Sequence, residues 1–234
     1  MEKKLPQHIA IIPDGNRRWA RSRGSISVEG HREGFKRFRE IAEAAFSIGI
    51  PFFTFWGASE DNLTKRSKIE VNFLVTLFQR KLEEELRSDF FTKNQIRVRV
   101  IGRWETLLNN PAKLKRLITE VEGQTRSFQK NRLTILFGYD GRSEMLEAVK
   151  KIKKQSSDQI DFDTVKQALW TNELPDVDLV IRTGGEPHWS AGFMMWLTAN
   201  SQFYFTEKFW PEFTEKEFTK AIKDFQNRER RFGK

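Results

Sequence analysis

The segment Pro13-Asp14-Gly15-Asn16-Arg17-Arg18-Trp19 gathers a carboxylate, a glycine, an amide and two guanidinium groups within seven residues. It follows the apolar run His8-Ile9-Ala10-Ile11-Ile12 and leads into a helical pattern, so it reads as a strand-to-helix turn. In that setting Gly15 lets the backbone approach a ligand, the N–H groups of the new helix point toward an anion, and Arg17 and Arg18 add positive charge. Asp14 would repel a bare phosphate. Its presence makes sense where a divalent cation is shared between carboxylate and phosphate. The same residues also suit a plain Asp-Gly turn with Asp14 capping the helix.

Two further strand-end loops carry reactive side chains. Arg182-Thr183-Gly184-Gly185-Glu186-Pro187-His188-Trp189-Ser190 offers a guanidinium fork and accessible backbone donors to phosphate oxygens. Gly57-Ala58-Ser59-Glu60-Asp61-Asn62 brings a hydroxyl and an amide. Taken singly, the first reads sooner as a flexible turn with Arg182 paired to a carboxylate, and the second as a structural turn. Together they place phosphate-binding chemistry at one sheet edge, where ligands of open α/β sheets bind. His31, in Gly30-His31-Arg32-Glu33-Gly34, begins the second helix, either as a polar residue satisfied by its surroundings or as a catalyst.

The wider composition narrows the classes. Among 234 residues there is no Cys, which removes disulfide scaffolds, thiolate zinc sites and cysteine nucleophiles, and fits a reducing compartment. The three histidines have no metal-ligand spacing. Any metal is therefore held by carboxylates and substrate oxygens, as magnesium is. P-loop, dinucleotide and nucleophile-elbow motifs are all missing. The net charge of +9 and the clusters 150–154 and 228–231 suit solvated faces, an oligomer contact or a nucleic-acid footprint. A nucleic-acid module leaves the strand-end loops unexplained, so no nucleic-acid partner is expected. The N-terminus has no apolar signal region, and the uncharged stretch 187–206 holds too many polar residues to span a bilayer, so a cytoplasmic protein is expected.

The elements that must position these residues follow from periodicity. Short β-branched or aromatic runs at 8–12, 52–56, 96–101, 133–137, 177–181 and 203–205 predict six strands. Amphipathic stretches at 34–47, 67–90, 112–129, 143–153, 162–170 and 214–227 predict helices, with Ile69, Phe73, Leu77 and Phe78 as the apolar stripe of the longest. Strands alternating with helices imply one α/β domain over residues 1–234, with a central, mostly parallel six-stranded sheet flanked by helices. The 21 Phe and 7 Trp supply bulk for a core and for an apolar cavity.

With HIAIIPDGNRRWA, GHREG, SEDN, LFGYDGRSE, DLVIRTGGE, YFTEKFWPEF and NRERRFG in this order, nearly the whole chain resembles the cis-prenyltransferases, the undecaprenyl diphosphate synthase family. The resemblance implies Mg²⁺-dependent condensation of isopentenyl diphosphate onto an allylic prenyl diphosphate, in a homodimer that docks transiently on membranes. It further implies an apolar tunnel for the growing chain between the sheet and the long helices. On this resemblance Asp14 positions Mg²⁺ on the leaving diphosphate, Gly15, Asn16, Arg17 and Arg18 hold its oxygens, and Trp19 shapes the site. Asn62 is the proton acceptor, with Ser59 and His31 beside it in catalysis. Arg182 and Ser190 hold the incoming diphosphate, and Lys65 or Arg66 supplies another cation. Glu60, Asp61, His188 and Trp189 complete the expected substrate-binding set.

Three positions depart from the family pattern. His188 stands near a family Arg, with one residue more before the next Phe; Gln202 replaces a Glu; Ser27 lies where the loop usually carries an Arg. All three fall in the second diphosphate subsite, where a neutral imidazole does not replace a guanidinium fork. The alternative reading is a member with an altered second site, acting as a weakly active partner subunit or catalysing a different prenyl coupling or cyclisation.

Overall fold

The structure is a computed structural model that describes residues 4–154 and 160–228. Its centre is a six-stranded sheet formed by β1 (His8–Ile12), β2 (Phe52–Ser59), β3 (Ile96–Ile101), β4 (Asn131–Tyr139), β5 (Leu179–Arg182) and β6 (Gln202–Phe205), in the order β3-β4-β2-β1-β5-β6. Every pairing is parallel, where the sequence predicts a mostly parallel sheet. β1 is buried throughout, as a central strand covered on both faces must be.

Alternation along the strands divides the core. Ile9 and Ile11 of β1 and Phe53 and Phe55 of β2 join one apolar cluster, whereas Ala10, Ile12 and Trp56 join the cluster on the opposite face. The first cluster lies under α2 (Ser27–Ser47), α4 (Lys68–Arg87), α7 (Ala112–Thr125) and α10 (Glu215–Asn227). The second packs beneath the turns of residues 191–200, of which Phe193, Met194 and Leu197 are almost wholly buried. α8 (Gly141–Lys154) and α9 (Phe162–Ala168) hold a third, smaller cluster.

The remaining helices are short: α1 (Asn16–Ser22), α3 (Glu60–Thr64), α5 (Phe90–Lys93) and α6 (Trp104–Leu107). Several expectations shift. β2 does not stop at Trp56 but runs to Ser59 through a bulge, where pairing to β4 slips between Trp56 and Ala58. The extra residue reverses the alternation, so Ala58 joins the face of Phe55 and Ser59 is re-aimed at the strand end. α2 begins at Ser27, so His31 lies one turn inside the helix and does not begin it. On α4 the buried face is Val71, Leu74, Leu77, Phe78 and Leu82; Ile69, expected in the stripe, is 83% exposed because it lies outside that i, i+3, i+7 row. Of the basic terminal cluster, Arg228 pairs with Asp224 at 2.6 Å, and the rest lies outside the described residues.

Candidate active site

β1 lies between β2 and β5, so the loops following these three strands open on one edge of the sheet. Asp14 and Arg182 meet there, although 168 residues separate them: Arg182 Nη2 donates to Asp14 Oδ2 at 3.2 Å. Arg18, one turn into α1, approaches Asp14 Oδ1 at 3.2 Å, and the Gly15 N–H donates to the same oxygen at 2.6 Å. Thr183 fastens the two loops, accepting from the Asp14 N–H at 3.0 Å and donating to its carbonyl at 2.8 Å. The turn needs Gly15, whose φ is 101° and whose added Cβ would lie 2.5 Å from the Phe209 ring.

Beside Asp14 lies a cationic hollow of about 270 Å³ lined by Gly15, Asn16, Arg17, Arg18, Arg21, His31 and Arg66. It forms because α2 approaches α1 closely: a Cβ at Gly30 would stand 2.0 Å from the Asn16 carbonyl oxygen. Glu70 of α4 stands among the cations, 2.9 Å from Arg66 Nη1, 3.7 Å from His31 Nε2 and 3.8 Å from Arg17 Nη1. Burial and then the Arg66 charge pull His31 down to about 4, against the opposing pull of Glu70, so its imidazole is neutral near pH 7. Burial also lowers Arg66, with Glu70 opposing.

A second, wider cleft of about 450 Å³ is lined by Asp14, Ser59, Asp61, Asn62, Arg66, Asp140, Arg142, Arg182 and Ser190, among others. Ser59 and Asn62 form a reciprocal cap on α3: the Ser59 hydroxyl accepts from the Asn62 N–H at 3.0 Å, and Asn62 Oδ1 from the Ser59 N–H at 3.4 Å. Arg182 is almost wholly buried. Its Nη1 donates to the His188 carbonyl at 2.8 Å and to the Ser190 hydroxyl, while its Nε is buried without a partner. Gln202 opens β6, and its Oε1 is likewise buried and unpartnered.

Between the hollow and the core lies a neck of about 80 Å³, lined by Asn16, His31, Asn62 and Arg66 on its polar side and by Phe35, Phe55, Trp56, Leu74 and Trp210 on its apolar side. Phe35, Phe55 and Gly57 are shared with an apolar cavity of about 350 Å³ between the sheet and α2, α4 and α5, where the resemblance places a tunnel. Cationic and amide side chains thus adjoin an apolar cavity through the neck.

Most sequence-predicted residues converge. Asp14, Gly15, Asn16, Arg17, Arg18, His31, Ser59, Asp61, Asn62, Arg66, Arg182 and Ser190 all line the two clefts. Four stand aside. Trp19 stacks under Arg23 at 4.7 Å, Glu60 faces Arg103 at 3.6 Å, and the Trp189 N–H donates to the Phe193 carbonyl at 2.8 Å. His188 sits behind Ser190, with Nε2 3.0 Å from its hydroxyl. Lys65 is exposed and paired with Asp61 at 2.8 Å, so Arg66 is the cation in the cleft. Sequence reasoning missed Glu70, Asp140 and Arg142. Asp140-Gly141-Arg142 repeats at the end of β4 the Asp-Gly turn at the end of β1, and that was the available signal.

For magnesium the donor set is spare. Among the described residues no group of three or more His, Asp or Glu gathers, and Asp14 is the carboxylate beside both clefts. One carboxylate flanked by arginines fits an ion that takes most of its oxygens from a bound diphosphate and water.

Fold and site together describe an α/β protein whose cationic hollow opens on an apolar cavity, a shape suited to a molecule with a polyanionic head and a hydrocarbon tail. The profile of a family described as putative undecaprenyl diphosphate synthase matches residues 12–233. The chain is 39% identical to an isoprenyl transferase of Thermotoga maritima, over 98% of this chain and 97% of that one. It is 37% identical to a tritrans,polycis-undecaprenyl-diphosphate synthase (geranylgeranyl-diphosphate specific) of Thermoplasma acidophilum, covering 98% and 89%. Its structure is similar to lavandulyl diphosphate synthase from Lavandula x intermedia in complex with dimethylallyl diphosphate, with TM-score 0.91, 33% identity and coverage of 98% and 99%. A probable undecaprenyl diphosphate synthase from Campylobacter jejuni gives TM-score 0.79 at 30% identity, covering 99% of both chains. The chain therefore belongs to the undecaprenyl diphosphate synthase family and is a cis-prenyltransferase. No helix among the described residues is long and apolar enough to cross a membrane.

Proposed function

We propose that this chain joins isopentenyl diphosphate to an allylic prenyl diphosphate, with the allylic head in the hollow of Arg17, Arg18 and Arg66 and the second head beside Arg182 and Ser190. The observation that carries this is the continuity from the cationic hollow and the wider cleft of mixed charge through the neck to the apolar cavity. The reaction breaks the allylic carbon–oxygen bond, forms a carbon–carbon bond to the isopentenyl double bond and releases a proton and diphosphate. Two polyanions must lie side by side, so their repulsion has to be offset by fixed positive groups. The arginines supply these, and Arg182, held by Asp14, His188 and Ser190, is already oriented. Asp14 would hold Mg²⁺, which when bound neutralises charge on the departing diphosphate. Asn62, whose carbonyl is aligned by the Ser59 N–H, would accept the proton, and the neutral His31 would keep the neck polar without adding charge. The growing tail enters the Phe-lined cavity, which excludes water from it.

A second reading has its own support. Gln202 leaves an orphaned amide oxygen where the family places a carboxylate, and the likeness to the lavandulyl synthase is higher than that to the Campylobacter enzyme. It assigns the chain a coupling or cyclisation of allylic units, or the role of a weakly active partner subunit. By resemblance the working form is a cytoplasmic homodimer that contacts membranes transiently. Incubating the purified protein with labelled isopentenyl diphosphate, several allylic primers and Mg²⁺, then sizing the products, decides between the readings. Label in products longer than the primer supports elongation; products without label support the alternative coupling.

A further inference from the structure

The second diphosphate corner holds a chain of three side chains, of which the proposed condensation uses Ser190 and leaves Glu186 and His188 without a role. Glu186 Oε2 lies 3.7 Å from His188 Nδ1, and His188 Nε2 lies 3.0 Å from the Ser190 hydroxyl, all on the loop after β5. Arg182 also donates to that hydroxyl. Ser190 lines the wide cleft, whereas His188 does not and has a side chain 58% exposed.

Counting hydrogens fixes what each group can do. A serine hydroxyl has one hydrogen and two lone pairs, and a guanidinium only donates. Arg182 therefore occupies one lone pair of Ser190. Glu186 favours a hydrogen on His188 Nδ1, so in the neutral ring Nε2 is an acceptor, and the one hydroxyl hydrogen of Ser190 is drawn back to it. Ser190 then offers the cleft no donor. When Nε2 takes up a proton, His188 donates into the second lone pair, and the hydroxyl hydrogen turns outward to the cleft.

We propose that His188 is a proton-gated positioning residue: on protonation it releases the Ser190 hydroxyl to donate to a phosphate oxygen in the cleft, so the second subsite binds its diphosphate more tightly at lower pH. This rests on reading that corner as the second diphosphate subsite, and it assigns to a proton the charge that a family arginine would carry permanently. The charged groups around the ring are few. Glu186 faces Nδ1, and Arg182 reaches the ring through Ser190. Arg18 of α1 stands one contact further, 3.4 Å from Glu186, as does Asp14 behind Arg182. His8 and His31 are each held down to about 4, so neither titrates above pH 5.5.

Calorimetric titration of isopentenyl diphosphate into the full chain between pH 6 and 8, in wild type, His188→Arg, His188→Asn and Ser190→Ala, tests this. The ligand's own protonation runs through all four series, so each is read relative to His188→Arg, whose charge does not change. Wild type should bind about as well as His188→Arg at pH 6 and about tenfold more weakly at pH 8, the effect of one charge-assisted hydrogen bond. His188→Asn should track His188→Arg with a constant offset. Ser190→Ala should lose most of the pH-dependent gain; if it keeps the gain in full, the route through the hydroxyl is overturned. Parallel curves for wild type and His188→Arg would remove the switch while leaving the subsite. If no form binds at any pH, the subsite fails and the switch with it.

Discussion

Among individual residues, Asp14 stood out as a carboxylate between a strand and a pair of arginines, a pattern that suits an Asp-Gly turn capping a helix as well as a metal ligand; the structure shows no side-chain cap at the start of α1. Its substitution is the sharpest test of the site. Asp14→Ala should leave the fold intact and lower turnover at least about a hundredfold, the usual effect of removing one preorganised electrostatic group; steady-state kinetics beside a circular dichroism spectrum would check both halves. Glu70 was not legible, since Arg66 and Glu70 read as an ordinary i, i+4 surface pair until the fold brings Arg17 and His31 to the same carboxylate. In the free protein this carboxylate balances the cations that an anionic substrate would claim. Glu70→Gln should therefore cost about 1–3 kcal/mol of stability, as loss of a half-buried partner does. Inorganic diphosphate should then raise the melting temperature more in the variant than in wild type. An equal rise in both would show that Glu70 and the anion do not compete. Trp19 and Trp189 were misplaced because position next to a binding loop does not fix where a long side chain turns: one stacks on Arg23 and the other bonds the Phe193 carbonyl.

At the scale of elements, the six strands were legible from β-branched and aromatic runs, and the long helices from periodicity. Of the four short helices only α1 was legible, as the helix that the Asp-Gly turn leads into; the other three were not, because one or two turns carry too few residues to display a period. The last residues of β2 were hidden for another reason: Gly57-Ala58-Ser59 has little strand preference, and the pairing with β4 carries it through the bulge. The contact between α1 and α2 makes a prediction that concerns glycine alone. At Gly30 a methyl group would meet the Asn16 carbonyl at 2.0 Å, so Gly30→Ala must push the helices apart and disturb the hollow. We expect about 1–3 kcal/mol of destabilisation from overpacking together with a loss of turnover. Gly123 in α7 is the control, since its added methyl would meet nothing within 4 Å. Gly123→Ala should stabilise by about 0.5–1 kcal/mol and leave turnover unchanged. Urea midpoints and initial rates of the two variants would check the contrast.

The whole molecule is held partly by buried neutral imidazoles. His8 Nδ1 meets the Pro175 carbonyl and Nε2 the Thr54 hydroxyl, both at 2.8 Å, and burial pulls its pKa down to about 4 against the opposing pulls of its neighbours. The folded-state values of His8 and His31 lie below the ordinary 6.5, so the unfolded chain binds more protons in the interval between. Their stabilisation is full above about pH 6.5 and is lost as the pH falls toward 4; by pH 5 each costs on the order of 2 kcal/mol. Urea denaturation at pH 7, 6 and 5 should show this loss, and His8→Gln should remove about half of it, leaving the share of His31. The sheet order has a consequence for biosynthesis. β1 is made first yet ends in the middle, flanked by a strand some forty residues later and by another beyond residue 178. While the nascent chain is still short of Arg182, one side of β1 has no partner and Asp14 has only Arg18 of its two guanidinium partners. Closure of the sheet and completion of the anion site are then one late event of translation, and a prematurely terminated chain has an open strand edge in place of a catalytic cleft.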